Sequence, residues 1–365
     1  MNYKKLSEIA DIVMGQSPKG SSLNADGIGE PFMQGRKTFG RLYPTIDTWT
    51  TEPTKHGKSR AILFSVRAPV GDMNIAPCDL CIGRGLCAIS GKNDFDTEYL
   101  YYLLSANIQK IKDKVTGTIF ESINRNDLLE TTLLVHDKDD RNKIVNILSP
   151  IDAKIECNNR TNDNLDKLLK LKFNDWVDNL SNARLSNLAE IATYRNGLAM
   201  QKYRPKNGNG LPVIKIKEMN SGFSKETERC DETIDEDYIV HDGDVLFAWS
   251  GTLCAMIWSG GDGGLNQHIF KVTSEKYPKW FYYLWTLRHL DKFIQIAAGK
   301  ATTMGHIKRK ELSLSEVLVP EDNEIKNMDK IMTPILDKII ENNVENRRLT
   351  KLRDTLLPEL LNGKI

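Results

Sequence analysis

The residues that could carry catalysis are few, and none stands in a complete set. Gly15-Gln16-Ser17-Pro18-Lys19-Gly20-Ser21 has the glycine content of a phosphate loop, but Ser21 follows Gly20 where the Lys-Ser/Thr pair that reaches phosphate and magnesium would stand. Cys78, Cys81 and Cys87 offer three thiols, yet no second pair follows at zinc-finger spacing, so they read as small buried hydrophobes. His56, His136, His241, His268, His289 and His306 form no His-Glu-x-x-His cluster. Gly260-Gly261-Asp262-Gly263-Gly264 reads as a flexible hairpin rather than a cofactor cradle. Neither Asn-Pro-Pro-Tyr nor Asp-Pro-Pro-Tyr occurs, and no Asp…Glu-x-Lys set of a metal nuclease falls convincingly on a strand. No catalytic residue and no metal site is expected.

What remains is recognition chemistry. The 50 basic and 49 acidic residues leave a net charge of +1, which excludes binding by bulk charge but not a local basic face. From Ala192 to Lys217 there are six cations and no acid: Arg195, Lys202, Arg204, Lys206, Lys215 and Lys217. Thr54–Gly71 has four, Lys55, Lys58, Arg60 and Arg67, and Lys300, Lys308, Arg309 and Lys310 make a third group. Such runs suit phosphates, which carry affinity without sequence choice. Choice would need Gln34, Arg36, Lys215, Gln267 or His268 at base edges, since Arg and Lys suit guanine and Gln suits adenine. Trp249 is a candidate base or sugar contact, and Trp258, Trp280 and Trp285 read as core.

The elements that must position these groups occur twice. Leu6-Ser7-Glu8-Ile9-Ala10-Asp11-Ile12 returns as Leu185-Ser186-Asn187-Leu188-Ala189-Glu190-Ile191. Ile62-Leu63-Phe64 returns as Val245-Leu246-Phe247, and Tyr99-Leu100-Tyr101-Tyr102 as Trp280-Phe281-Tyr282-Tyr283. Gly85-Leu86 matches Gly264-Leu265, and Ile123…Leu128 matches Ile307…Leu312. The order never breaks while the offset drifts between 179 and 184, so the chain is a tandem duplication. The copies nevertheless differ at most polar positions: Gln34-Gly35-Arg36-Lys37 aligns with Lys215-Ile216-Lys217-Glu218.

Each copy has a globular part and a helical tail. The globular parts, 1–140 and 181–320, mix short β-like runs bounded by Gly and Pro with one helix each, an α+β composition. The tails, 141–180 and 321–365, carry heptad seams. Ile144, Leu148, Ile151, Ile155, Asn158, Asn162, Leu165 and Leu169 form the first; Met328, Met332, Ile335, Ile339, Asn342, Asn346, Leu349 and Arg353 form the second, each 184 residues on. The expected fold is two similar globular α+β domains separated by two long antiparallel coiled-coil helices, a pseudo-two-fold repeat. The seam asparagines are expected to fix register at a cost in stability, so that replacing Asn158 and Asn342 by Leu should raise thermal stability. Two similar surfaces at fixed separation suit duplex DNA, whose half-sites recur about every 34 Å.

Over nearly its whole length the chain resembles the specificity subunit of type I restriction-modification systems. Leu6–Ile12 followed by Gly15-Gln16-Ser17-Pro18 looks like the start of a target recognition domain, and Cys81-Ile82-Gly83-Arg84-Gly85-Leu86-Cys87 like its central strand-turn motif. Gly117-Thr118 with Ile123 and Leu128, and Gly299 with Thr302, Thr303, Ile307 and Leu312, look like the segments that close each domain. The resemblance implies two recognition domains reading the halves of a split, asymmetric double-stranded DNA target, with Arg84, Thr118 and Thr302 added to the contacts. It also implies helices that dock two methyltransferase subunits, with restriction and motor subunits completing the complex. S-adenosylmethionine, ATP and Mg would belong to those partners, and this chain would bind no cofactor. The alternative is a coiled-coil scaffold whose globular halves bind protein. No apolar run approaches the ~18 residues of a membrane span and no signal-like stretch follows Met1, so a cytoplasmic protein without membrane contact is expected.

Overall fold

The computed structural model describes residues 1–114, 121–206, 208–299 and 305–364. The chain divides into two compact units, Met1–Glu156 with Leu349–Ile365, and Cys157–Arg348. Each long helix therefore contributes one stretch to either unit.

In the first unit, strands Ala10–Met14, Leu86–Gly91, Ile62–Ser65 and Met73–Ile75 make an antiparallel sheet in that spatial order. Ile62-Leu63-Phe64-Ser65 is buried on both faces, which is why it reads as a continuous apolar run rather than an alternating one. Ile62 and Phe64 face Tyr99, Leu100 and Leu103 of helix Thr97–Ala106, while Leu63 packs the other way against Met33, Leu80 and Ile82. Those three belong to a second sheet, ordered Leu23–Asn24, Trp49–Thr50, Glu30–Met33, Leu80–Ile82, His56–Gly57. Within it Glu30–Met33 and Leu80–Ile82 run parallel, Phe32 opposite Cys81 and Met33 opposite Ile82.

The second unit repeats this plan. Thr193–Asn196, Ile269–Thr273, Val245–Ala248 and Cys254–Ile257 form the antiparallel sheet. Arg229–Cys230, Leu211–Ile214, Gly263–Leu265 and Ile239–Val240 form the other, with Val213 opposite Gly264 and Ile214 opposite Leu265 in its parallel pair. Its core is more aromatic, with Phe247, Phe270, Trp280, Phe281, Trp285 and Phe293 in one cluster. Strand register corrects one match made from sequence. Leu265 stands beside Ile214 as Ile82 stands beside Met33, so Leu265 corresponds to Ile82, not Leu86. The shared Gly-Leu dipeptide is a coincidence of composition that the strand pairing overrides.

The long helices are Lys138–Asp178 and Asp322–Leu361. In the first unit Ile144 and Leu148 join Leu360 and Leu361 in the core. One helical turn on, the buried Asp152 accepts hydrogen bonds from Tyr102 Oη and Arg353 Nη1, each at 2.8 Å. In the second unit Leu169, Phe173 and Val177 pack with Met332 and Leu336. Ile151, Leu165, Ile335, Ile339 and Leu349 are half-buried, whereas Ile155 is buried. Between Asn158 and Asn346 the second unit contains an amide network. Asn342 Nδ2 donates to Asn162 Oδ1 (2.8 Å) and Asn158 Nδ2 to Asn346 Oδ1 (2.9 Å). Asn346 Nδ2 donates to Asn159 Oδ1 (2.8 Å) and Asn162 Nδ2 to Asn343 Oδ1 (2.9 Å). Rising numbers on one helix meet falling numbers on the other, so the pair is antiparallel there. Adding 184 to one copy's residue numbers converts each bond of a pair into its mate, so the repeat extends to individual hydrogen bonds.

Candidate nucleic-acid interface

In the first unit the parallel strands Glu30–Met33 and Leu80–Ile82 end side by side, and the loop after Ala10–Met14 closes on both. Gly83 N–H donates to Met33 O (2.7 Å), Gly85 N–H to Gln34 O (3.2 Å) and Gln16 N–H to Ile82 O (2.9 Å). Only glycine allows this approach. A Cβ on Gly15 would lie 2.1 Å from Gly83 O, and one on Gly83 would lie 2.7 Å from Gln34 Oε1 and 2.8 Å from its Cα. One on Gly85 would lie 2.7 Å from Gln34 O. The Gly-Arg-Gly run thus has glycine on both sides for packing reasons, and Arg84 alone projects, exposed and without a salt bridge among the described residues. Gln34, named from sequence as a base-edge candidate, stands beside it.

The second unit builds the same corner from other side chains. Asn266 N–H donates to Ile214 O (3.2 Å), Leu198 N–H to Leu265 O (2.9 Å) and Gln267 N–H to Leu198 O (2.9 Å). Gly197 corresponds to Gly15, since a Cβ there would lie 2.3 Å from both Leu265 O and Asn266 O. Counting from the paired strands, Asn266-Gln267-His268 occupies the place of Gly83-Arg84-Gly85, so Gln267 is the counterpart of Arg84. Gln267 Nε2 donates to His268 Nε2 at 3.2 Å, which leaves the Gln267 carbonyl oxygen without a partner among the described residues.

The remaining candidates divide by what they touch. Lys215 Nζ pairs with Glu228 at 2.6 Å, and the ammonium holds that carboxyl below the usual carboxylate range. Lys217 pairs with Glu226, and Arg36 with Asp72. Lys37, Lys58, Arg67, Lys202 and Arg204 are exposed and make no salt bridge among the described residues, so their charge is available to an anion. Arg36 and Lys37 border a cleft of about 700 Å³ with Asp72, Tyr101 and Lys112. Trp249 is held by its own ring: Nε1 donates to Asn196 Oδ1 at 2.8 Å, and the indole stacks on Phe270 with centroids 5.7 Å apart. It borders a cavity of about 310 Å³ with His306, Lys308 and Arg309. Thr118 and Thr302 lie outside the described residues.

Ser17 was not singled out from sequence. Its hydroxyl accepts a long bond from Arg84 N–H (3.4 Å) and donates to Gln34 Oε1 (2.8 Å), which ties the corner together. The usable signal was the glycine that recurs at 15 and 197, two residues before Ser17 and Ala199. Cys81 and Cys87 are buried, and burial pushes the Cys87 thiol far up. Among the described residues no cluster of His, Cys, Asp and Glu could hold a metal, and no helix is long and apolar enough to cross a membrane.

The fold and these corners define a duplicated α+β protein that presents one backbone arrangement in two chemistries. The type I restriction modification DNA specificity domain matches residues 1–167 and again 181–353, and the chain belongs to that family of specificity subunits. It is 40% identical over 164 residues to a putative type I restriction enzyme MjaX specificity subunit of Methanocaldococcus jannaschii, a match spanning 45% of this chain and 39% of that one. It is 24% identical over 342 residues to the MjaIX specificity subunit of the same organism, covering 83% and 77%. The crystal structure of a type I S subunit from M. genitalium shares the fold, with a TM-score of 0.65 at 16% identity over 98% of this chain and 95% of that one.

Proposed function

We propose that this chain is the non-catalytic, DNA-reading subunit of a type I restriction-modification complex, each unit reading one block of a split, asymmetric duplex target. The observation that carries this reading is the matched pair of corners. One backbone arrangement presents Gln34 and Arg84 in the first unit, and Lys215 and Gln267 in the second. Different donors and acceptors on one scaffold suit different bases, so the two blocks differ and the target is not a palindrome. The exposed cations Lys37, Lys58, Arg67, Lys202 and Arg204 supply phosphate contacts that set position without choosing sequence.

In this reading the long helices set the gap between the blocks and dock two methyltransferase subunits, with restriction and motor subunits joining them. Exposed apolar residues support two equivalent docking places. Ile147 and Leu352 are exposed in the first unit, and their repeat counterparts Ile331 and Leu168 in the second. S-adenosylmethionine, ATP and Mg are then bound by the partner subunits, and the complex works in the cytoplasm. Exchange of residues 1–140 for the corresponding domain of another specificity subunit tests the division of labour. It is expected to change one block of the methylated site and leave the other intact; a change in both blocks would contradict the reading.

A further inference from the structure

We propose that Ser17, Gln34 and Arg84 form a surface of hydrogen-bond donors that reads guanine in the major groove, with Ser17 as the positioning residue. The inference rests on the reading that the first unit contacts DNA. Arg84 N–H approaches Ser17 Oγ at 3.4 Å, so the hydroxyl's own proton goes to Gln34 Oε1, 2.8 Å away. That bond takes one of the two lone pairs of the amide oxygen and fixes which end of the amide faces Ser17. Gln34 Nε2 has no partner among the described residues, and it is a donor only. Arg84, on the end of the neighbouring parallel strand, carries a guanidinium that cannot accept.

Guanine is the base that shows two neighbouring acceptors, N7 and O6, in the major groove. Adenine pairs its acceptor with an amino donor, cytosine shows an amino donor, and thymine flanks its one acceptor with a methyl group. A corner whose two unpartnered side-chain ends, Gln34 Nε2 and the Arg84 guanidinium, are both donors matches the first and opposes the two amino groups. The second unit differs at the same places. Ala199 replaces the hydroxyl of Ser17, and Gln267, the counterpart of Arg84, keeps its carbonyl oxygen free. The pair of unpartnered donors is therefore particular to the first copy and not a consequence of the shared backbone.

Selection of random duplex DNA by the full chain bound to its methyltransferase subunits, followed by sequencing, tests this. The wild-type complex should select two blocks, one holding a guanine that Arg84→Ala no longer prefers, a loss of roughly tenfold to a hundredfold. Gln34→Glu should move one position of that block from guanine to cytosine, because a carboxylate accepts from the cytosine amino group. Ser17→Ala should let the same position take adenine beside guanine, since the freed amide can turn, and Ser17→Thr should restore guanine. The other block should stay unchanged throughout. Selected blocks without guanine, or guanine preference untouched by Arg84→Ala and Gln34→Glu, would overturn the proposal while leaving the DNA-reading function standing. A wild-type complex that selects no sequence would overturn that function itself. If Gln34→Glu fails to fold, Arg84→Ala decides, because the Arg84 side chain is exposed.

Discussion

Arg84 projects because the residues on both sides of it have no side chains. Gly83→Ala would place a methyl group 2.8 Å from Gln34 Cα, and the two strand ends would have to part. The expected outcome is a chain that melts within a few degrees of the parent but loses discrimination at one block, checked by thermal melts beside site mapping. His136 carries a second prediction. It is 4% exposed, its backbone N–H donates to Tyr99 Oη (3.2 Å), and the same hydroxyl is hydrogen-bonded to its Nδ1 (2.9 Å). Burial holds its pKa below the ordinary histidine value. The unfolded chain then takes up the proton first as pH falls. The stability this neutral ring contributes is present above about pH 6.5 and is lost as pH drops through the folded value. His136→Asn keeps an acceptor for Tyr99 but cannot titrate. Urea midpoints near pH 7.5 and pH 5.5 should fall less for the variant than for the parent, and equal falls would remove His136 from the account.

At the scale of elements, the seam asparagines behave differently from what heptad spacing alone suggests. Asn158 and Asn342 are buried, and their amides donate to Asn346 and Asn162. Replacing both by Leu strips donors from acceptors that stay buried, at about 1–3 kcal/mol for each orphaned group. Such a double variant should therefore melt lower than the parent, the reverse of the gain expected for an unsatisfied polar seam. Asp152 is a stricter case. Arg353→Met leaves that buried carboxylate without its cation and should cost toward the lower end of about 3–5 kcal/mol, since the Arg353 side chain is 29% exposed. Calorimetry of both variants measures these effects. The period of 3.5 told which face of each helix is buried, and Ile144, Leu148, Ile155 and Met332 are buried. It could not tell which residue of the other helix each would meet. Asn159 and Asn343 lie off the seam and still complete the network. Leu336 is buried where Ile335 is half-buried, because packing against the aromatic core of its unit overrides the strict repeat.

For the whole molecule, duplication was legible because a preserved order of short matches survives substitution. The pairing of Arg84 with Gln267 was not legible, since no side chain is shared there and only strand register aligns them. Likewise the pairing of Lys215 with Glu228 and of Arg36 with Asp72 joins residues whose proximity depends on sheet order. Removing one heptad from each long helix shortens each by ~10 Å, about three base pairs of duplex. The unspecified gap should shrink while both blocks persist, as mapped by methylation-sensitive sequencing. The claim on which the rest depends is that two unlike readers share one chain. Genome-wide mapping of adenine methylation in cells carrying this chain with its methyltransferase subunits tests it most directly. The account predicts a single motif of two short, different blocks separated by about 5–8 unspecified base pairs, with the block centres about one helical turn apart. A palindromic motif, one continuous block, or methylation without sequence choice would contradict it.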